Sequence, residues 1–392
     1  YNVEESLPNL VLYSLLTHDN EVLEAVQHTM QAHLQFMLPD GGWDNSWGTR
    51  NYKWTYWGSR TSDGCQPAYA LLGDRSPEFH RAALANTQLL QRLTHQGLLY
   101  GGPHYLSHGV VPSLHHTFCH LKALTTILDH GIPAPPPTFA PVKLPREQAY
   151  GSKFFADIQT GLVARGPFRA TVTTYDRNYK DFKGGHASGG ALSMLWHEKA
   201  GPVLAASMNE YQLYEAHNMQ EDQDPHSMPL TPRIQLVENG VAYTNSNDFS
   251  ATMQVEEKGG QTVVRTTSAL VNKDQQSPAS GAVHCRVDYH FGNNAVTLHF
   301  RHDAAQHRAV QIMLPVVSAA AEPYVIQDNQ VRLHRDGVLL QLQASQPLRL
   351  LPTTGGRIFN YVPGLEALPF YTDAADLQVT IRCGAPAGQS PA

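Results

Sequence analysis

The spacing of apolar residues changes once along this chain, and that change limits it to two kinds of structure joined in tandem. From residue 3 to 130 the period is helical: Val3, Leu7, Leu10 and Val11 share one face, and Val22, Val26, Met30 and Leu34 recur at four-residue steps. Asp19 and Asn20 are the N-cap candidates between these runs, which predicts an antiparallel helical hairpin. Further helices are expected from about Pro77 to Gln96 and from about His116 to His130, the latter stopped by Gly131 and Pro133. Six prolines then fall in the fifteen residues from Gly131 to Pro145, a stiff linker with polyproline II character. Beyond it the period is two. Segments 168–175, 249–257, 261–271, 282–291 and 294–302 alternate or are rich in β-branched residues, and Gly, Asn, Asp and Pro clusters separate them. The division predicts a helical domain over 1–131, a linker over 132–150 and a large antiparallel β-sandwich with one polar side over 151–392.

Composition narrows the function. With 392 residues, 42% of them hydrophobic and only 16% charged, the chain is a folded protein of more than one domain, neither disordered nor a coiled coil. A net charge of -6 with scattered basic residues leaves no footprint for nucleic acid. No apolar run reaches the roughly 18 residues of a membrane-spanning helix. The chain opens on Tyr1, as expected of a processed or trimmed product whose signal peptide is not in view. Cys65, Cys119, Cys285 and Cys383 show no C-x-x-C spacing, which disfavours a zinc knuckle or redox pair, while Cys285 and Cys383 lie in strand-like segments that a bridge could join. Nucleophile-elbow, Walker A and dinucleotide-binding glycine motifs are absent. Histidine stands out, at 21 residues against nine lysines.

Three segments concentrate chemistry. The loop 39–64 holds four of the five tryptophans, with Trp43, Asn45, Arg50, Trp54, Tyr56 and Arg60 as candidates for substrate contact. Aromatic faces suit the apolar faces of sugar rings, and arginine grips a carboxylate bidentately, although the tryptophans can equally plug the space between helices. Segment 101–124 carries His104, His108, His115, His116 and His120, suited to acid or base work near neutrality, with His104 a further candidate for substrate contact. His116 and His120 have metal-pair spacing, but no glutamate completes a zinc-hydrolase motif, so a bound divalent metal is possible without a nameable ligand set. Segment 173–218 offers Tyr175, Tyr179 and His186, the last among glycines that present its imidazole at a sheet edge.

The helical-then-sandwich order, with "KGGHASGGALSMLWHEKAGPVLAAS" opening the strand region, resembles the heparinase II/III-like polysaccharide lyases. The resemblance implies a partial (α/α) toroid of helical hairpins followed by the sandwich, with uronic-acid glycans cleaved between the two. It places His186 at the sandwich-domain histidine, with "SLHHTFCHLKAL" and Tyr175 or Tyr179 as the partner segments. Where the family motif often has an acidic residue two after the histidine, this chain has Ser188. The resemblance also implies a periplasmic or secreted protein.

The residue inventory itself suits β-elimination, which removes the C5 proton beside a uronate carboxylate and expels the 4-oxygen. A neutraliser must hold the carboxylate, and a base and an acid must move protons. The expected assignment is His115 or His116 as base, Tyr175 or Tyr179 as acid, and His186 with Arg60 or Asn45 on the carboxylate, with no cofactor required. The expected partner is an acidic polysaccharide or oligosaccharide. The rivals are a glycoside hydrolase using Asp44 and Asp63, and a non-catalytic carbohydrate-binding protein.

Overall fold

The computed structural model describes residues 3–59, 66–112, 114–131, 141–177, 185–213, 224, 226–353 and 355–385. Among them are six α-helices: α1 (Val3–Thr17), α2 (Asn20–His33), α3 (Gln66–Leu71), α4 (Pro77–Arg92), α5 (Tyr105–His108) and α6 (Leu114–His130). Asp19 caps α2, accepting from the Val22 amide at 3.1 Å, so α1 and α2 pack as the expected hairpin. Leu7, Val11, Val26 and Met30 meet Tyr69, Leu72 and Phe79 in one helical core. Helix α4 stops four residues before its expected end. Gln96 and Gly97 adopt positive φ and turn the chain into a small hairpin of Thr94–His95 with Leu98–Leu99.

The strand region forms three antiparallel sheets rather than a plain two-layer sandwich. A six-stranded and an eight-stranded sheet bury the alternating faces of their strands against each other, as in Gln330–Arg335 and Val296–His302. Cys285 and Cys383 are free thiols, so no bridge joins them.

The third sheet, of five strands, runs in chain order through Gly151–Phe155, Thr160–Arg165, Phe168–Thr173, Ala191–His197 and Gly201–Ala205. Every residue of Phe168–Thr173 and Ala191–His197 is buried, so one polar side is not what this sheet shows. Ala170, Val172, Leu192 and Leu195 face the sandwich core, while Met194, Trp196 and Ala205 join a second core with Trp54, Trp57, Leu89 and Tyr105 of the helical part. A sheet covered on both faces reads as continuous apolar sequence.

That joint is also polar. Asp44 and Arg146 form an ion pair at 2.8 Å with neither side chain exposed. Ser46 and Thr171 donate hydroxyls to the same carboxylate, and Arg146 donates to the Ala170 carbonyl at 3.0 Å. The Ser46 hydroxyl lies 2.9 Å from that of Ser193, so the tryptophan loop is bolted to the five-stranded sheet.

A second clasp ties the helical part to the strand region. His108 stacks on Phe359 with ring centroids 4.0 Å apart, and its two nitrogens meet Asp224 at 2.9 Å and Glu366 at 3.4 Å. Burial pulls the His108 pKa down, but the hydrogen bonds and charges of Glu366 and Asp224 outweigh it and raise it. The clasp is therefore stabilising in full below the unfolded value of about 6.5 and is lost as pH rises through the raised folded value. Thermal unfolding followed across pH 6 to 9 should show the native chain losing melting temperature relative to His108→Gln; parallel curves would contradict this.

Candidate functional site

The turn after strand Phe168–Thr173 brings His186 to the end of the five-stranded sheet, and its glycines are sterically required. Gly189 has φ +62, and a Cβ there would stand 1.7 Å from the Asn245 carbonyl oxygen. The following Ser188 is tied on both sides: its amide donates to the Ser246 carbonyl at 3.0 Å and its hydroxyl to the Tyr175 carbonyl at 2.7 Å. The position at which an acidic residue is common thus holds a structural hydroxyl.

His186 is 1% exposed, and its Nε2 lies 3.1 Å from the Tyr175 carbonyl oxygen. A carbonyl only accepts, so Nε2 carries the proton and Nδ1 carries the lone pair. Nδ1 is buried and has no hydrogen-bond partner among the described residues. Burial lowers the His186 pKa to about 4, against smaller opposing effects from the Tyr175 carbonyl and Asp176. At neutral pH the ring is therefore neutral, with an acceptor lone pair at Nδ1, which opposes the expected role of a charged carboxylate holder. Its ring faces Phe249, with centroids 5.6 Å apart, and Tyr175 at 6.1 Å.

The helical part reaches this turn through Trp47. Its indole packs edge-on to Tyr175 at 5.8 Å and against Phe36 at 5.2 Å, and its Nε1 donates to the Asp44 carbonyl at 3.1 Å. Trp47, Tyr175 and Phe249 are each partly exposed; Tyr175 and Phe249 neighbour the buried histidine, and Trp47 packs on Tyr175. Asn45 and Arg50 flank Trp47 on the same loop, both half-buried; the Asn45 side chain makes no hydrogen bond among the described residues. Neighbouring Asn51 donates to the Ser207 carbonyl at 3.2 Å, a further tie of this loop to the sheet region.

Other expected site residues serve packing. Trp43, Trp54 and Tyr56 are each 1% exposed, which leaves no face for a sugar and corrects their expected role as substrate contacts. Trp43 stacks on His33 at 4.0 Å, Trp54 donates to the Trp43 carbonyl at 2.7 Å, and the Tyr56 hydroxyl donates to Asp40 at 3.0 Å. His104 accepts from the Glu366 amide at 2.9 Å, an interdomain pin rather than a substrate contact, and burial foremost lowers its pKa to about 4. His116 is buried on α6, where Trp57 at 6.4 Å and His115 at 5.4 Å are among its ring neighbours. His115 is exposed, 3.7 Å from the Cys119 sulfur. Among the described residues no hydrogen bond or ring contact is seen between His115 or His116 and His186, and Trp47 is a helical-part group that reaches the turn. Arg60, Asp63 and Tyr179 lie outside the described residues. Asp44, the other carboxylate of the hydrolase reading, is sealed inside the joint. Among the described residues, no group of three or more His, Cys, Asp or Glu is placed to hold a metal ion.

Trp47 and Phe249 were not among the residues singled out as site candidates. Trp47 had a signal, its place among the four tryptophans, but only burial separates it from the other three.

Comparison with known proteins places both halves of the chain. The family described as ulvan lyase C-terminal domain matches residues 152–384, and that described as ulvan lyase N-terminal domain matches residues 1–147. A broad-specificity ulvan lyase from Formosa agariphila is 40% identical over 375 residues, which is 94% of this chain and 58% of that protein. The chain thus spans somewhat more than half the length of this curated relative. Among solved structures, a heparinase III gene product aligns at TM-score 0.45 and 9% identity, over 98% of this chain and 60% of that one. A heparan sulfate lyase mutant from Pedobacter heparinus aligns at TM-score 0.41 and 10% identity, over 93% of this chain and 56% of that one.

Proposed function

The chain belongs to the ulvan lyase family, and from that premise we propose that it is a polysaccharide lyase that cleaves a uronic-acid-containing glycan by β-elimination. The observation that carries the reading is the protonation pattern of His186: Nε2–H is committed to the Tyr175 carbonyl, and the Nδ1 lone pair is left over on a ring neighboured by the partly exposed Tyr175 and Phe249. In this scheme the substrate displaces the partly exposed rings beside the buried His186 and so reaches Nδ1, which takes the C5 proton; the C5 electron pair passes through an enolate-like state, and the C4–oxygen bond breaks as the C4–C5 double bond forms. The Tyr175 hydroxyl returns a proton to the leaving oxygen. Asn45 and Arg50 are assigned to the uronate carboxylate, whose charge must be offset for the C5 proton to become acidic.

Ulvan, the substrate named for the Formosa agariphila relative, is the first polymer to test. The reaction as written uses only groups of this chain and no cofactor. A periplasmic or secreted location fits a polymeric substrate. The hairpins α1/α2 and α3/α4, which touch through α1 and α3, are assigned to part of an (α/α) toroid. The deciding assay is a panel of uronate polysaccharides, ulvan included, followed by the ultraviolet absorbance of the new double bond, with and without chelator. New reducing ends without absorbance would establish hydrolysis and end the lyase reading.

Trp47 is the sugar platform in this scheme. Trp47→Ala should raise KM by about 3- to 10-fold, the size of one aromatic contact, with kcat less affected. The equivalent change at buried Trp54 should instead lower the melting temperature. Initial-rate kinetics and thermal unfolding of the two variants check this contrast.

A further inference from the structure

The geometry points to Asn209 as the residue that positions His186, acting by hydrogen-bond donation to the main chain of the glycine turn. This inference rests on the reading of His186 as the base. The Asn209 Nδ2 lies 2.8 Å from the His186 carbonyl oxygen, 3.1 Å from the Ser246 carbonyl oxygen and 2.7 Å from the Asn247 Oδ1. Three acceptors around one amide nitrogen fix which end of the side chain is which: the nitrogen must face them. The Asn209 side chain also fills the space beside Gly185, where a Cβ would lie 3.2 Å from it and where φ is +70.

Among the described residues, the turn has few other anchors near the ring. Ser188 holds its far side through the Ser246 and Tyr175 carbonyls. Gln275 in turn holds segment 245–248, donating to the Asn247 carbonyl at 2.7 Å. The His186 carbonyl has Asn209 as its side-chain donor, so this one bond sets the height of the histidine relative to Tyr175. Removing it frees the peptide after His186 to rotate and breaks the alignment of Nε2 with the Tyr175 carbonyl. The proton is then no longer confined to Nε2, and the base loses both its place and its tautomer. Asn209 touches no reacting atom in this scheme and works through His186 alone.

Two variants separate donation from packing. Asn209→Ala should lower kcat by up to about 100-fold, the scale of a misplaced catalytic group, with KM nearly unchanged. Asn209→Asp keeps the volume but turns a carboxylate toward three oxygens. It should be worse than alanine at neutral pH and recover relative to alanine as acid restores a donating proton, a crossover that simple loss of packing does not produce. The second readout needs no substrate: the imidazole 15N signals of His186, assigned by their loss in His186→Gln, should report Nε2–H in the native chain and a mixed tautomer in Asn209→Ala. Unchanged His186 signals in Asn209→Ala, or aspartate that outperforms alanine across the whole pH range, overturn the assignment. Full activity in His186→Ala would instead defeat the proposed mechanism, and the 15N spectrum would still decide what Asn209 does.

Discussion

Replacing His186 with alanine should remove β-elimination activity by a factor of about 100 to 10,000, the range for loss of a general base, while the protein stays folded. Folding should survive because the Tyr175 carbonyl keeps its hydrogen bond from Ser188, so no buried acceptor is orphaned. The pH profile carries the sharper content. With a folded pKa of about 4, lowered by burial, His186 is in its base form throughout the neutral range, and protonation removes that form only as pH falls through about 4. The acid limb of kcat/KM assigned to this group should therefore lie well below the ordinary histidine value of about 6.5. A limb near 6.5 would mean that another histidine is the base. Activity that increases on acidification below 4 would mean that an imidazolium at 186 holds the substrate carboxylate, the role first expected of it.

The second large effect concerns stability. Arg146→Ala leaves Asp44 charged, fully buried and dependent on Ser46 and Thr171 alone, and breaking such a pair costs about 3–5 kcal/mol. Unfolding in denaturant should show that loss as a lower midpoint, and protease should cut between the helical and strand regions at concentrations that leave the native chain intact. The double variant Asp44→Leu with Arg146→Met removes both charges and should recover much of the loss, since apolar replacements of a buried pair are often neutral or better. A single variant as stable as the native chain would place the joint's strength in its apolar core instead. The tryptophan loop depends on the same pair, because Asp44 also accepts the Ser46 amide at 3.2 Å, and its carbonyl holds the Trp47 indole.

How the sequence maps onto these features depends on the range of the interaction. The hairpin of α1 and α2, its Asp19 cap and the exit from helix to strand were legible because capping and periodicity act over a few residues. The turn that carries His186 was legible because glycines that need positive φ mark a turn wherever they fall. The tryptophan cluster shows the opposite case. Trp43, Trp47, Trp54 and Trp57 look alike in sequence, yet three are packed inside and one stands beside Tyr175, because the Asp44 joint, built from residues more than a hundred positions apart, sets which way the loop faces.

By itself the sequence determined the order of helix and strand and the glycine turn that carries His186, since each is encoded by neighbours in the chain. The tertiary structure alone decided that the five-stranded sheet is buried on both faces, that His116 packs on Trp57, and that Trp47 is the helical-part ring beside the Tyr175–His186 pair. Burial, protonation state and ring contacts depend on what other segments bring within a few ångströms, and a linear pattern holds no record of those distances.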